Sequence, residues 1–138
     1  SITAQDVESL VGHNRVFGAF EVIDAMVVGN AGEALKRLRN MFAEDKNAQY
    51  TVVGAFAFHF RRMFSAKALL TKGRSIPDVT KALRIWGKKD QFFAQVKRLS
   101  LEQIGLQLQR LAEIDYQIKT GQTRPPVAIE QLVLGMSR

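Results

Sequence analysis

The sequence predicts an all-α protein, a bundle of about seven helices. Apolar residues recur every three or four positions along most of the chain, which is the spacing of one helix face. Capping residues, glycines and prolines divide the chain into segments of helical length. No pair of segments has the pattern of strands that could form a sheet.

The first residues have the pattern of a short helix. Thr3 can start it, because its hydroxyl can accept hydrogen bonds from first-turn amides, and the helix ends near Gly12. We interpret residues 1–13 as the end of a preceding module and residues 14–138 as the main domain. Since the sequence begins without methionine and enters a helical pattern at once, we expect it to be part of a longer protein.

Start and stop signals bound each of the next two helices. The first runs from about Val16 to Val28 and ends at Gly29, which readily adopts the left-handed conformation of a helix end. The second starts at Asn30, with Glu33 three residues later as in a capping pair, and runs to about Glu44.

Only in the stretch from Ala48 to Lys72 does a strand compete with a helix. Phe56, Phe58 and Phe60 alternate as they would in a strand. However, an unbroken run of about 25 residues exceeds the usual length of a strand, so we predict a helix. Phe58 lies off the main apolar stripe, and we therefore expect this helix to bury a second face against another neighbour.

Two short helices follow. Ser75 can cap the first, Pro77 suits its first turn, and the helix continues to about Ile85. A break at the sequence WGKKD separates it from the second, which contains Phe92 and Phe93.

Two longer helices complete the bundle. Ser100 and Gln103 form a capping box for a helix from Leu101 to about Thr120. The last helix begins at Pro125 or Pro126.

Asp115 is a carboxylate in the apolar stripe of the long helix. The other members of that stripe are Ile104, Leu108, Leu111 and Ile118. We expect Asp115 to face the core, where an unpaired carboxylate would cost several kcal/mol. Its partner is either Lys119 one turn later or the free amides at the start of the last helix. Glu113 points away from it, so we predict a structural corner of Asp115, Lys119 and Gly121 rather than a catalytic pair.

Several functions are excluded by missing residues. Cysteine is absent, which removes thiol catalysis, disulfides and cysteine zinc sites and agrees with a cytoplasmic location. No phosphate-binding glycine loop or serine-nucleophile motif occurs. His13 and His59 have no partner at metal-ligand spacing, and we expect His59 to be a packed or partly exposed histidine at the edge of the core. We therefore predict no catalytic residue, no metal and no cofactor.

We also expect no membrane partner. The sequence has no apolar run of about 18 residues that could span a bilayer. Its first residues lack the basic, apolar and small-residue order of a signal peptide.

Basic residues exceed acidic ones by 20 to 13, which gives a net charge of +7. The excess lies between residues 61 and 98. The basic residues there are Arg61, Arg62, Lys67, Lys72, Arg74, Lys81, Arg84, Lys88, Lys89, Lys97 and Arg98. They form either a solvated face or a contact with nucleic acid or another subunit. Trp86, Phe92 and Phe93 could stack on bases, but their spacing favours core positions.

Two stretches carry a family resemblance. The sequences FEVIDAMVVGNAGEALKRL (Phe20 to Leu38) and LAEIDYQIKTGQTRPPVAIEQLVLGM (Leu111 to Met136) resemble the carboxy-terminal part of the delta subunit of bacterial DNA polymerase III. Their order and spacing also agree with that family, and the resemblance covers about Val16 to Met136.

The resemblance implies a helical collar domain of a clamp loader. Residues 1–13 would end the preceding helical lid, and residues 14–138 would be the collar. This domain is expected to be a non-catalytic scaffold that packs against gamma or tau and delta-prime subunits in the cytoplasm. The parent subunit belongs to the DNA polymerase III holoenzyme. The amino-terminal AAA+ module, through which the family grips the sliding clamp, has no counterpart in this sequence.

The same resemblance implies a position near primed DNA in the assembled loader for one turn. Its candidate residues are Lys119, Gln122, Thr123 and Arg124, whose side chains suit phosphate contacts. The alternative is a free-standing basic helical module that binds DNA by itself, which the charge excess between residues 61 and 98 favours.

Overall fold

The computed structural model describes residues 18–136, which form seven helices and no strand. The described part of α1 is residues 18–27. The following helices are α2 (Ala31–Glu44), α3 (Ala48–Thr71), α4 (Ile76–Leu83), α5 (Lys89–Arg98), α6 (Leu101–Lys119) and α7 (Pro125–Met136). The predicted all-α bundle is confirmed. The predicted helix from Thr3 to Gly12 and the predicted boundary after residue 13 lie outside the described residues.

Capping side chains begin three helices where the sequence predicted them. Asn30 Oδ1 accepts a hydrogen bond from the Glu33 amide at 3.1 Å, and the Ser75 hydroxyl caps α4 in the same way. Ser100 Oγ accepts from the Gln103 amide at 3.0 Å, while Gln103 Oε1 accepts from the Ser100 amide at 2.8 Å. This reciprocal pair satisfies two amides that the first turn of α6 would leave without partners.

Glycines in the left-handed conformation end α1, α3 and α6. Gly121, which has φ +76°, shows the pattern. Its amide donates to Ile118 O at 3.1 Å, and the next amide, that of Gln122, donates to Gln117 O at 2.8 Å. These two bonds close the last turn of α6 as a Schellman motif. The predicted stop at Gly29 has the same geometry, with φ +79°.

The core is built around α3, which packs against α2, α4, α5, α6 and α7. Phe56, Phe60 and Met63 of α3 are fully buried. Other sides of the helix are buried as well, for example at Ala57 and His59, so the predicted second buried face exists within the chain itself. Phe58, the residue that suggested this face, is nevertheless 44% exposed.

The last helix closes the bundle on helices from the beginning of the domain. α7 packs against α2, α3 and α6, and its Ile129 and Val133 are fully buried. At the rim, Arg39 Nε of α2 donates to Glu130 Oε1 of α7 at 3.0 Å. No helix in the described part of the chain has both the length and the apolarity that crossing a membrane requires.

Candidate nucleic-acid interface

Trp86 lies on the surface with 83% of its area exposed. The prediction of a core position for this residue is wrong, whereas Phe92 and Phe93 are buried as predicted. The physical reason is the end of α4. This helix stops at Leu83, before the predicted end near Ile85, and the left-handed turn that follows buries Ile85 and leaves the next side chain in solvent.

Trp86 belongs to a connection between α4 and α5, residues 84–88, which we call the Trp86 loop. Arg84, Gly87 and Lys88 in this loop have φ values of +53°, +71° and +47°. A residue with a side chain is disfavoured in this conformation by about 1–2 kcal/mol. Contacts outside the loop must therefore hold it in this shape.

Arg62 of α3 supplies one set of these contacts. Its Nη2 donates to Leu83 O at 3.3 Å and to Arg84 O at 3.4 Å, where α4 ends. Its guanidinium carbon lies 5.5 Å from the centre of the Phe58 ring and 5.8 Å from that of Phe92. Partial burial lowers the pKa of Arg62 from its usual value. Cationic donors at a helix end satisfy carbonyls and complement the negative end of the helix dipole.

Lys88 attaches the other end of the loop to α1. Its ammonium group forms an ion pair with the Glu21 carboxylate and lies 5.6 Å from the centre of the Phe20 ring. Glu21 is itself bound to α2, because Arg37 Nη1 donates to its carbonyl oxygen at 2.8 Å. The Trp86 loop is thus fixed directly to α1, through Lys88, and to α3, through Arg62. It is fixed to α2 indirectly, because Glu21 of α1 is bound by Arg37.

The basic residues between 61 and 98 lie mostly on the surface. All of them except Arg62 and Lys67 are exposed. Arg84 and Lys89 flank the exposed Trp86 in the sequence. This combination of an exposed aromatic ring and cations is what a surface for single-stranded nucleic acid needs.

His59 lies behind this surface in the core. Gln95 Nε2 donates to Asp24 Oδ1 at 3.1 Å, so Gln95 Oε1 is available to accept from His59 Nε2 at 2.8 Å. The rings of Phe20 and Phe92 meet the imidazole edge to face. Burial lowers the pKa of His59 to about 4. The prediction of a packed histidine is confirmed, and the described residues contain no group of His, Asp and Glu that could hold a metal ion.

The predicted corner at the end of α6 forms differently from expectation. Lys119 Nζ lies 2.8 Å from Asp115 Oδ2, but the Asp115 side chain is 47% exposed. The expected core position of Asp115 is therefore wrong. Pro125 and Pro126 begin α7, and since proline has no amide hydrogen, these two positions cannot be the alternative partner.

The turn with the candidate DNA-proximal residues follows this corner. Gln122 Nε2 donates to Thr120 Oγ1 at 2.8 Å, and Thr120 Oγ1 donates to Tyr116 O at 2.9 Å. Lys119 is held by Asp115, Thr123 is partly buried and Arg124 is exposed. Arg124 is therefore the cation of this turn best placed to meet a phosphate.

A second kind of surface is apolar and lies where α3 meets α6. Phe64 and Leu106 are 37% and 45% exposed. Phe64 reaches across to α6, where its Cε2 lies 3.7 Å from the position of a Cβ on Gly105, the residue before Leu106. We call Phe64 and Leu106 the α3–α6 seam. On α7, Leu134 is also exposed and lines a groove with Arg110 and Ile114 of α6.

Sequence reasoning missed the Trp86 loop. A signal was present, since Trp86 precedes a glycine and two lysines at a predicted break between helices. The contacts of Arg62 and Lys88 with the loop join distant parts of the chain, and no local pattern indicates them.

Comparisons with known proteins place this fold. The chain is similar over residues 18–136 to the family model described as DNA polymerase III delta subunit, C-terminal domain. A search of curated proteins gave no match. Among solved structures, the Bacillus subtilis DNA clamp loader delta protein (YqeN) matches with a TM-score of 0.79 and 22% sequence identity. That match covers 99% of this chain and 40% of the B. subtilis chain.

The structural match agrees with the fold, and the family model carries the assignment. It spans both stretches in which the sequence resembles delta subunits. Because it matches residues 18–136 of a chain of 138, the protein belongs to the family of DNA polymerase III delta subunits, in its C-terminal domain.

Proposed function

We propose that this domain is a non-catalytic scaffold of a cytoplasmic clamp loader. It packs against the corresponding collar domains of gamma or tau and delta-prime subunits, so that the sliding clamp can be loaded on primed DNA. Family membership over residues 18–136 is the observation that carries this proposal. Contact with the clamp itself belongs to an amino-terminal module of the parent subunit.

The α3–α6 seam is the surface that we assign to a neighbouring subunit. Phe64 and Leu106 both expose apolar area on two helices that pack against each other, and Phe64 contacts α6 at Gly105, the residue before Leu106. Exposed apolar groups that form a patch are typical of protein interfaces, whereas single exposed ones are ordinary.

Copurification tests this assignment. The chain is mixed with tagged tau and delta-prime subunits of the same organism, and complex formation is followed by size-exclusion chromatography. Leu106→Glu is expected to weaken the complex at least about tenfold, because a charge would be buried in the interface. Val28→Glu is the matched control, since Val28 is 54% exposed at the turn after α1. Equal retention of both variants would reject the seam as the interface.

A second function is contact with unpaired bases of the primed DNA through the Trp86 loop. The exposed ring of Trp86, with the exposed Arg84 and Lys89 close to it in the sequence, favours it. The turn with Lys119, Gln122, Thr123 and Arg124 remains a second proposed DNA contact. This turn has fewer groups available to bind phosphate, because Asp115 forms an ion pair with Lys119 and two prolines remove amide donors from the start of α7.

Fluorescence anisotropy of the assembled loader on primed DNA compares the two surfaces. Removing one stacked base contact is expected to weaken binding at least about fivefold, so Trp86→Ala should do so with little change in salt dependence. Arg124→Ala should lower the slope of log affinity against log salt by about 0.7 if it meets a single-strand phosphate. Full affinity of Trp86→Ala would reject the contact at the Trp86 loop.

The alternative, a free-standing DNA-binding module, predicts the opposite results for binding of clamp-loader subunits and of DNA. Such a module would bind duplex DNA alone with a steep salt dependence and would bind no clamp-loader subunit. The same copurification and anisotropy measurements distinguish it from the scaffold.

A further inference from the structure

We propose that Arg62 is a positioning residue for the nucleic-acid contact, and that it acts by holding the Trp86 loop without touching nucleic acid. The inference rests on the proposed contact of Trp86 with unpaired bases. It divides the basic residues of this surface into those that shape the site and those that meet phosphates.

The position of Arg62 explains how it can hold the loop. Its donors meet Leu83 O and Arg84 O, the carbonyl groups at which α4 gives way to the loop. These groups have no partner within the helix, and a neighbouring cation both satisfies and stabilises them. Arg62 itself belongs to the central helix α3, which is anchored in the core.

The surroundings of Arg62 restrict its side chain. Its guanidinium lies within cation–π distance of Phe58 and Phe92, and its Nη2 is occupied by the two carbonyl oxygens. Among the cations near Trp86, Lys88 is also held within the protein, through Glu21. Arg84 and Lys89 are exposed, flank Trp86 in the sequence and are the residues that we assign to phosphates.

The loop needs such support because of its backbone. Arg84 and Lys88 have side chains and positive φ, so the loop would relax if the contacts at its two ends were lost. A relaxed loop presents Trp86 in many orientations, and ordering it again on binding costs affinity. Arg62 therefore contributes to binding through preorganisation of the ring.

Trp86 is the only tryptophan of the chain, so its fluorescence reports the loop directly. We expect Arg62→Met, which keeps the stem and removes the donors, to raise the local rotational mobility of Trp86 in time-resolved anisotropy. Binding of the assembled loader to primed DNA should weaken at least about fivefold with an unchanged salt slope. Lys89→Met is the matched control and should lower the slope by about 0.7 while Trp86 keeps its mobility.

Arg62→Lys keeps the charge and loses the fork of donors. It is measured in parallel for Trp86 mobility, affinity and salt slope, and these three measurements test the proposal in either variant. The proposal is overturned if Trp86 mobility stays unchanged, or if the salt slope falls as in Lys89→Met. In a Trp86→Ala background, Arg62→Met should cause no further loss of affinity. If a loader with Trp86→Ala alone binds primed DNA as tightly as one with the parent chain, the proposed nucleic-acid contact fails. If Trp86→Ala weakens binding and Arg62→Met does not, only the positioning role fails.

Discussion

Lys119 Nζ lies 2.8 Å from Asp115 Oδ2, one turn apart at the exposed end of α6. Both groups remain partly in water, so the pair is a surface ion pair between adjacent turns. For Asp115→Ala we expect a loss in the free energy of unfolding of no more than about 0.5 kcal/mol. A core carboxylate, as the sequence suggested, would have made this loss several times larger. Urea denaturation measures it.

Gly121→Ala is the contrasting change at the same corner. Gly121 has φ +76°, and an added Cβ would meet no atom within 4 Å. The cost therefore comes from the backbone alone and should be about 1–2 kcal/mol. The same denaturation experiment should rank Gly121→Ala as more damaging than Asp115→Ala. The reverse order would mean that the ion pair, and not the glycine stop, fixes this corner.

Two buried glutamines should respond in opposite ways to substitution by methionine. Gln95 joins His59 to Asp24 through two hydrogen bonds, so Gln95→Met should cost about 1–3 kcal/mol of unfolding free energy. Gln107 Oε1 is buried without a hydrogen-bond partner, so Gln107→Met should be neutral or stabilising by up to about 1 kcal/mol. Thermal denaturation of the two variants checks the order. Equal destabilisation would indicate a partner for Gln107 Oε1, such as an internal water.

Stability should fall in mild acid because of His59. Burial lowers its pKa from 6.5 to about 4. Between these two pH values the His59 imidazole is therefore protonated in the unfolded chain and neutral in the folded chain. The free energy of unfolding therefore decreases as pH falls through this window and is fully retained above it. We expect a loss of roughly 2 kcal/mol between pH 7 and pH 5.

Chemical denaturation at several pH values measures this loss, and His59→Gln should remove most of it. Arg62, the nearby cation, also disfavours the protonated imidazole, although burial is the larger cause. An equal acid loss in His59→Gln would assign the effect to other groups.

Trp86 and Phe92 should differ sharply when truncated. Trp86 is 83% exposed, so Trp86→Ala should change the free energy of unfolding by less than about 0.5 kcal/mol. Phe92 is buried against His59 and Phe93, so Phe92→Ala should cost about 3–5 kcal/mol. Guanidinium denaturation of both variants tests the assignment of Trp86 to the surface. A large loss of unfolding free energy in Trp86→Ala would show that Trp86 is buried in the core.

Local signals predicted the helices well because the ends of helices are local structures. Ser100 with Gln103 and the stop at Gly29 depend on hydrogen bonds between near neighbours, which the residue types reveal. The position of Asp115 could not be predicted in this way. It lies in line with the buried Ile104 on α6, but Leu111 is the last buried residue of that helix. The spacing of apolar residues indicates which face of a helix is buried. It does not indicate how far along the helix the packing helices cover that face.

The candidate nucleic-acid surface was predictable only in its charge. The excess of lysine and arginine between residues 61 and 98 indicated a basic face, which is exposed as the sequence allowed. The exposure of Trp86 depended on a left-handed turn at Arg84. Arginine is not a residue type that marks such a turn, and the carbonyl contacts of Arg62 that accompany it come from a distant helix.

During synthesis on the ribosome, α2 and α3 emerge well before α7. Because α7 packs on both of them, and its Ile129 and Val133 are fully buried, the nascent domain exposes uncovered apolar side chains until Pro125–Met136 has emerged. Partly folded chains of this kind are prone to aggregation. A chain truncated before Pro125 should accordingly depend on chaperones or be degraded, even though it retains most of its helices.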